Sequence, residues 1–426
     1  MGTGTRWVAL LGFGFTLGAC GGETQGSGAS GAGGSGGALG GSGGALGGAG
    51  GSGGYGGGSG GGPLPVCLIE ASGALPAPAA TASVLTGPGV VATDTGFVIG
   101  FRDQDGASLR AVVVPLSDGG VTGAPDEFEL GGCAGVSPTD GVSLAYRDGK
   151  GMMTTSLPNC GTGAGAVFIP FDDKGQTAQA AGPKNGAFKG LETWPGALAP
   201  SKGIDEYELV YTVTSSQPSV AERAMLSGTN FKTTVPIAHP FGEGPRGGIA
   251  VATGKDVIAL LSSDASDGSV DLVMGPLTGG ALDVKPAPEL PSGKDAGLVA
   301  FGSRVVAGVR TAAGLSVRVL ELGTGIVSVA SGELPSTDSL SSSLAVDGDR
   351  LYAVHAGKAK LRIQTVHGVS ATPSFPAATT TELTHTALSS LQGTRVAVAA
   401  ARGKLVVVWL DGNSVSAGGF IVARCE

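Results

Sequence analysis

From Val66 to Glu426 the apolar positions fall in short runs of Val, Ile, Leu and Ala, and each run stops at Gly, Asp, Ser or Pro. No long stretch repeats at 3.6 residues, so amphipathic helices are not predicted. The runs have strand length and strand composition instead. Two turn signals recur in phase along them. The first follows a run of small residues and commonly precedes a basic one: Thr95-Gly96, Asp148-Gly149-Lys150, Lys202-Gly203, Thr253-Gly254-Lys255, Gly302-Ser303-Arg304, Gly348-Asp349-Arg350 and Gly393-Thr394-Arg395. Its glycines advance by 53, 54, 51, 48, 46 and 45 residues. The second ends a strong strand: Gly119, Gly175, Gly228, Gly279, Gly325, Gly368 and Gly412. The stretch from Ala111 to Val121 is its clearest instance, a strand, a Ser-Asp-Gly-Gly turn and the start of another strand.

Each unit therefore reads as strand A, a turn, strand B, a variable loop, strand C, a second turn and strand D. In the fifth unit Leu298–Phe301, Val305–Arg310, Ser316–Leu322 and Ile326–Ala330 fill these places. The third unit must take its strand A from the Pro-containing run Gly196–Ser201. Seven units with a period of about 50 residues predict an all-β fold, a seven-bladed β-propeller, whose closed ring leaves only short strand edges. A pair of β-sandwiches or a β-helix is the structural alternative; a sandwich pair would not require one turn register in every unit. The Leu-x-Asp-Gly hairpins look like those of TolB-type propellers. No Trp-Asp dipeptide, kelch signature or quinone-binding repeat is present, so no subfamily is assigned.

Composition changes the picture mainly at the N-terminus. Glycine supplies 80 residues of 426, and residues 21–65 hold a large share of them, with Gly-Gly-Ser-Gly-Gly-Ala-Leu occurring twice in succession. Such a segment buries too little apolar surface to offset its ordering entropy and is expected to be a disordered tether. Ahead of it, Arg6 precedes the apolar run Trp7–Leu17, which is too short to span a bilayer. The run ends in Leu17-Gly18-Ala19-Cys20, which resembles the lipobox of bacterial lipoproteins. That resemblance implies cleavage before Cys20, which then carries a diacylglyceryl group and an N-acyl chain and binds the lipid bilayer. It covers only the first 20 residues. Gly21 stands where inner-membrane retention would call for Asp, so the outer membrane is the expected location. The expected organisation is a signal peptide over 1–19, a lipidated Cys and tether over 20–65, and a propeller over 66–426.

Four cysteines remain after Cys20, an even count that suits an exported, disulfide-bonded chain. Cys67 would precede the first strand A and Cys425 would end the last strand D, so ring closure brings them together. Cys133 and Cys160 fall in loops expected at the same end of neighbouring blades. The expected pairs are Cys67–Cys425 and Cys133–Cys160; free buried thiols are the alternative.

Candidate chemistry is sparse. The net charge is −8, which argues against nucleic acid as a partner. Gly33-Gly-Ser-Gly-Gly37 fits a hydrolase elbow but lies in the tether, and Gly161-Thr-Gly-Ala-Gly-Ala166 opens no helix. The four histidines, His239, His355, His367 and His385, fall in different repeats and read as turn or surface residues. Asp103, Asp105, Asp264 and Asp267 cluster in Asp-Gly loops as weak calcium candidates, although Asp-Gly is also a favoured turn pair. No cofactor is expected. The D–A and B–C loops are the longest and most varied, and binding residues collect on loops held by a rigid scaffold. Glu192, Trp194, His239, Phe241, Glu243 and Arg246 form the candidate binding face there. The leading expectation is a monomeric, tethered, non-catalytic propeller binding a protein or glycan in the cell envelope. An envelope hydrolase or lyase would instead need acids and histidines such as Asp140, Glu192, His239, Asp295 and His385 to converge on the ring axis. A structural subunit of an outer-membrane assembly would expose an apolar patch.

Overall fold

The structure is a computed structural model. It describes residues 67–76, 88–102, 108–115, 122–129, 142–157, 165–175, 197–203, 205–213, 220–227, 230–236, 246–254, 256–264, 269–277, 285–286, 290–322, 326–336, 339–369, 375–391, 396–410 and 416–426. These residues form seven antiparallel sheets, six of four strands and one of three, and one short 3-10 helix, Thr386–Ser390. In chain order the inner A strands are Gly89–Ala92, Val142–Arg147, Ala197–Pro200, Arg246–Thr253, Lys294–Phe301, Ser341–Asp347 and Val396–Ala401. Each lies against the inner strands of its two neighbours, and the last lies against the first. The ring closes, and the fold is an all-β propeller.

The fifth blade has its four strands where expected, Lys294–Phe301, Arg304–Thr311, Gly314–Leu322 and Ile326–Pro335, with strands A and D each about twice the expected length. The third takes its strand A from Ala197–Pro200, inside the run the sequence singled out. The opening hairpin is a C–D pair, Ser108–Pro115 against Thr122–Glu129.

The last blade corrects the expected register. Its sheet runs, from the inside outwards, Val396–Ala401, Lys404–Leu410, Ser416–Cys425 and then Cys67–Pro76. Its A–B turn is Arg402-Gly403, and both residues have positive φ (53° and 76°), as a type I′ hairpin demands. Gly393-Thr394-Arg395, the expected turn, lies outside the described residues. Counted from Gly348, the true turn glycine follows after 55 residues rather than 45, close to the first steps of the repeat. The strand after Asp411-Gly412 is therefore strand C, and strand D comes from the N-terminal end of the folded chain. Cys67 opens strand D of the closing blade instead of preceding a strand A, and Cys425 ends strand C.

The two cysteines are cross-strand partners, and their disulfide joins residues 358 apart in sequence. In blades one and three to six the two outer strands follow one another in sequence. In blade seven the two outer strands come from opposite ends of the folded part, and the disulfide joins them. Glu70, beside a bulge in strand D, is held by Lys404 at 2.8 Å and Arg424 at 3.1 Å, one residue from strand B and one from strand C.

The core lies between blades rather than inside each one. Leu75, Val406, Val408, Phe420 and Val422 of blade seven pack on Phe97, Ile99 and Phe101 of blade one. The other face of blade seven, with Trp409, Ile421 and Val407, meets Tyr352, Val354 and Ile363 of blade six. Burying each such side chain contributes about 1.5–3 kcal/mol. Glycines let these large rings lie flat on the sheet: Gly419 pairs with Trp409, Gly73 with Phe420 and Gly151 with Phe171. A Cβ on Gly419 would stand 2.5 Å from Trp409 Cζ2, so the indole occupies the space of a missing side chain.

Candidate functional site

Up-and-down connectivity puts the A–B and C–D turns at one end of the ring and the B–C and D–A connections at the other. The A–B end is taken up by bonds between blades. The Tyr146 hydroxyl donates to Asp94 Oδ2 at 2.7 Å, and the Arg147 guanidinium donates to the Ser201 carbonyl. Thr253 Oγ1 donates to the Pro200 carbonyl at 2.6 Å, Lys202 meets Asp256 at 3.1 Å, and Gly403 N–H donates to Asp347 Oδ2 at 2.5 Å. The partners lie 52 to 56 residues apart, one repeat, so the same stitch recurs from blade to blade. Burial and the Asp94 hydrogen bond push the Tyr146 hydroxyl up to about 12, which keeps it a neutral donor. The inner strands are stitched as well: Ser143 Oγ accepts from Leu198 N–H, and Ser341 Oγ accepts from Val396 N–H.

Of the expected binding residues, one, Arg246, is described, and it lies at the opposite end. Arg246 is the first residue of blade four strand A, and its rung partner is Asp264, the last residue of strand B. A binding-face candidate and a calcium candidate thus share one register position. Asp295 occupies the equivalent end of the next inner strand, Lys294–Phe301. Glu192, Trp194, His239, Phe241, Glu243, Asp103, Asp105, Asp267, Asp140, Cys133, Cys160 and Cys20 lie outside the described residues. Two B–C connections are shorter than expected: Ala312-Ala313 in blade five and Lys358-Ala359 in blade six are two-residue hairpins.

The histidines divide by environment. His385 is exposed and caps the 3-10 helix, its Nδ1 accepting from Ala387 N–H at 3.1 Å. It borders an open cleft of about 320 Å³ at the B–C end of blade seven, floored by Gly73, Ala74, Gly418 and Gly419 and edged by Ser72 and Thr386. His367 directly follows the strand Lys360–Val366, with its Nε2 buried. His355 departs from the sequence expectation of a turn or surface residue. It lies in blade six strand B (Arg350–Gly357), 1% exposed, between the Ser342 hydroxyl at 3.0 Å from Nδ1 and Gln364 Oε1 at 2.7 Å from Nε2. Gln364 Oε1 can only accept, so Nε2 carries the proton and Nδ1 accepts from Ser342. Gln364 in turn donates to the Pro335 carbonyl, and so does Arg362, which also pairs with Glu382 at 2.5 Å. Burial pushes the imidazole down to about 4, and Arg362 adds to that, against the opposing effect of Gln364.

A hydroxyl donating to a neutral imidazole is also how a hydrolytic serine is arranged. Here Ser342 is 9% exposed, and the recess beside His355, edged by Ser336, Ser339, Lys360, Arg362 and Glu382, leaves only water-sized space. The network fixes blade six against the D–A connection from blade five. The signal that could have located it is the apolar run around it: Leu351, Tyr352, Ala353, Val354 and Ala356 are all fully buried.

No family model matches the chain, and no curated protein matches it. Solved structures do. The chain is similar to a chain of hydrazine synthase from Kuenenia stuttgartiensis at 11% identity, over 80% of this chain and 96% of that one, with a TM-score of 0.51. It is similar to TolB from Acinetobacter baumannii at 12% identity, over 80% and 79%, with a TM-score of 0.36, and to the Dos1 propeller at 9% identity, over 78% and 76%, with a TM-score of 0.44. At these identities the likeness is one of fold, and the fold is the all-β propeller.

Proposed function

We propose that this chain is an exported, lipid-anchored propeller that holds a protein or glycan partner in the cell envelope without catalysing a reaction. The observation that carries the export half is the Cys67–Cys425 disulfide, which forms and persists in oxidising compartments. It agrees with the signal-like segment before Cys20, and the lipobox there supports anchoring through Cys20. The binding half is supported by the division of labour between the two ends of the ring. The A–B turns spend polar groups on bonds between blades, and the exposed His385 lies at the other end, which supports the B–C and D–A connections as the binding end.

Metabolic labelling with a fatty acid, followed by membrane fractionation, tests the anchor. The wild type is expected to take up label and to sediment with membranes, whereas Cys20→Ser is unlabelled and soluble. An unlabelled wild type would sink the anchor. Photo-crosslinking in cells from probes at Arg246 and His385 tests the partner, with probes at Lys202 and Asp256 as the comparison. Adducts confined to the B–C end are expected; equal adducts from both ends would overturn that assignment.

A further inference from the structure

The chain reaches the propeller through Cys67, the first residue of the closing strand, so any tension on residues 20–65 is delivered to that residue. The strand Cys67–Pro76 is the outermost strand of its sheet, and its ladder partner is strand C. Its antiparallel ladder begins with Cys67 opposite Cys425 and runs to Pro76 opposite Ser416. A ladder pulled from its first rung opens rung by rung, because each hydrogen bond in turn meets the whole force. The fasteners of this strand gather at that rung. The disulfide is there. Cys67 N–H donates to Thr381 Oγ1 at 3.2 Å, Arg350 donates to the Cys425 carbonyl at 2.9 Å, and Glu70 holds Lys404 and Arg424 within the next few residues.

We infer that the Cys67–Cys425 disulfide is a mechanical clamp: it passes tension from the tether into strand C of blade seven, so the closing strand is not peeled and the ring stays shut under load. The inference rests on residues 20–65 being an anchored tether. Its test does not use the anchor, and failure of the anchor would appear separately as an unlabelled Cys20.

The experiment is single-molecule stretching of the mature chain, with Cys20→Ser to keep it soluble. One handle is attached in the tether, and the other at the exposed Ala312-Ala313 turn of blade five. In the oxidised molecule no extension is expected before the ring unfolds. After dithiothreitol is added to the same folded molecule, an earlier step at lower force is expected, releasing roughly 35 Å for the ten residues of the strand. Cys67→Ala should show the same step without reductant, which separates this bond from any other disulfide. Handles at Ala313 and Lys358 load the ring away from the junction and should be insensitive to the bond. An early step in the oxidised molecule would overturn the clamp, and so would none after reduction. An equal drop in force for both handle pairs would also overturn it, since that marks a plain stabilising crosslink.

Discussion

His355 shows how much one residue's surroundings decide. Its ring titrates at about 4 in the fold against an ordinary 6.5, so between those values the unfolded chain binds a proton that the folded chain refuses. Stability therefore falls as pH drops from about 6.5 to about 4 and levels off below. The size of the loss is on the order of 3 kcal/mol. His355→Asn should remove this part of the pH dependence. Urea midpoints of both proteins at pH 7 and pH 4.5 would show it, and equal shifts in the two would refute it. Glycines behave as differently as their surroundings. Gly419→Ala would drive a Cβ into Trp409 and is expected to cost about 1–3 kcal/mol. Gly297→Ala meets nothing nearer than 3.7 Å and should leave the melting temperature almost unchanged. In a chain with 80 glycines the sequence could not separate these two, because the difference lies in which strand comes to face which.

At the scale of the element, the turns carried the information. Six of the seven expected A–B turns lie where the repeat placed them, since a tight hairpin between twisted strands needs residues that accept positive φ, and Asp148-Gly149 supplies them within two positions (50° and 79°). The seventh was out of register because nothing local marks a strand borrowed from the other end of the chain. The phase could have been recovered from Cys67, whose partner implied that strand. The candidate site was less legible. Arg246 and Asp264 are 18 residues apart, and only the hairpin's register puts them on one rung. The closing strand makes its own prediction. Lys404, by hydrogen bond and charge, and then Arg424 hold the Glu70 carboxyl below its usual range against the opposing effect of burial. A depressed carboxyl contributes stability that is present above its unfolded pKa and lost as pH falls through the folded one. Glu70→Gln should speed amide exchange in residues 67–76 at pH 7 and low salt, but not at pH 3 or in strong salt. An effect that persists at pH 3 would mean that packing, not charge, is what the substitution disturbed.

Across the whole molecule the ring is a chain of similar interfaces with one distinct closure. Blades one to six are continuous in sequence, whereas blade seven is assembled from the two ends of the folded chain. In the chain-entropy account a crosslink spanning 358 residues contributes roughly 5 kcal/mol or more. Cys67→Ser should therefore lower the denaturation midpoint sharply. Because the clusters on both faces of blade seven share that strand, blades one and six should lose exchange protection together, while blade four keeps its own. Uniform loss around the ring would contradict this.

The blade built from both ends also has a consequence in time. On the proposed export route Cys67 emerges early, whereas its partner Cys425 emerges only after both Cys133 and Cys160. On that route the wrong partners are at hand until Cys425 follows. A pairing that skips two earlier cysteines calls for a catalyst that breaks and remakes bonds. Pulse-chase maturation should therefore pass through species joining Cys67 to Cys133 or Cys160, and it should stall in cells lacking a disulfide isomerase. Direct formation of the native bond at an unchanged rate in such cells would show instead that the ring aligns its two ends before either thiol reacts.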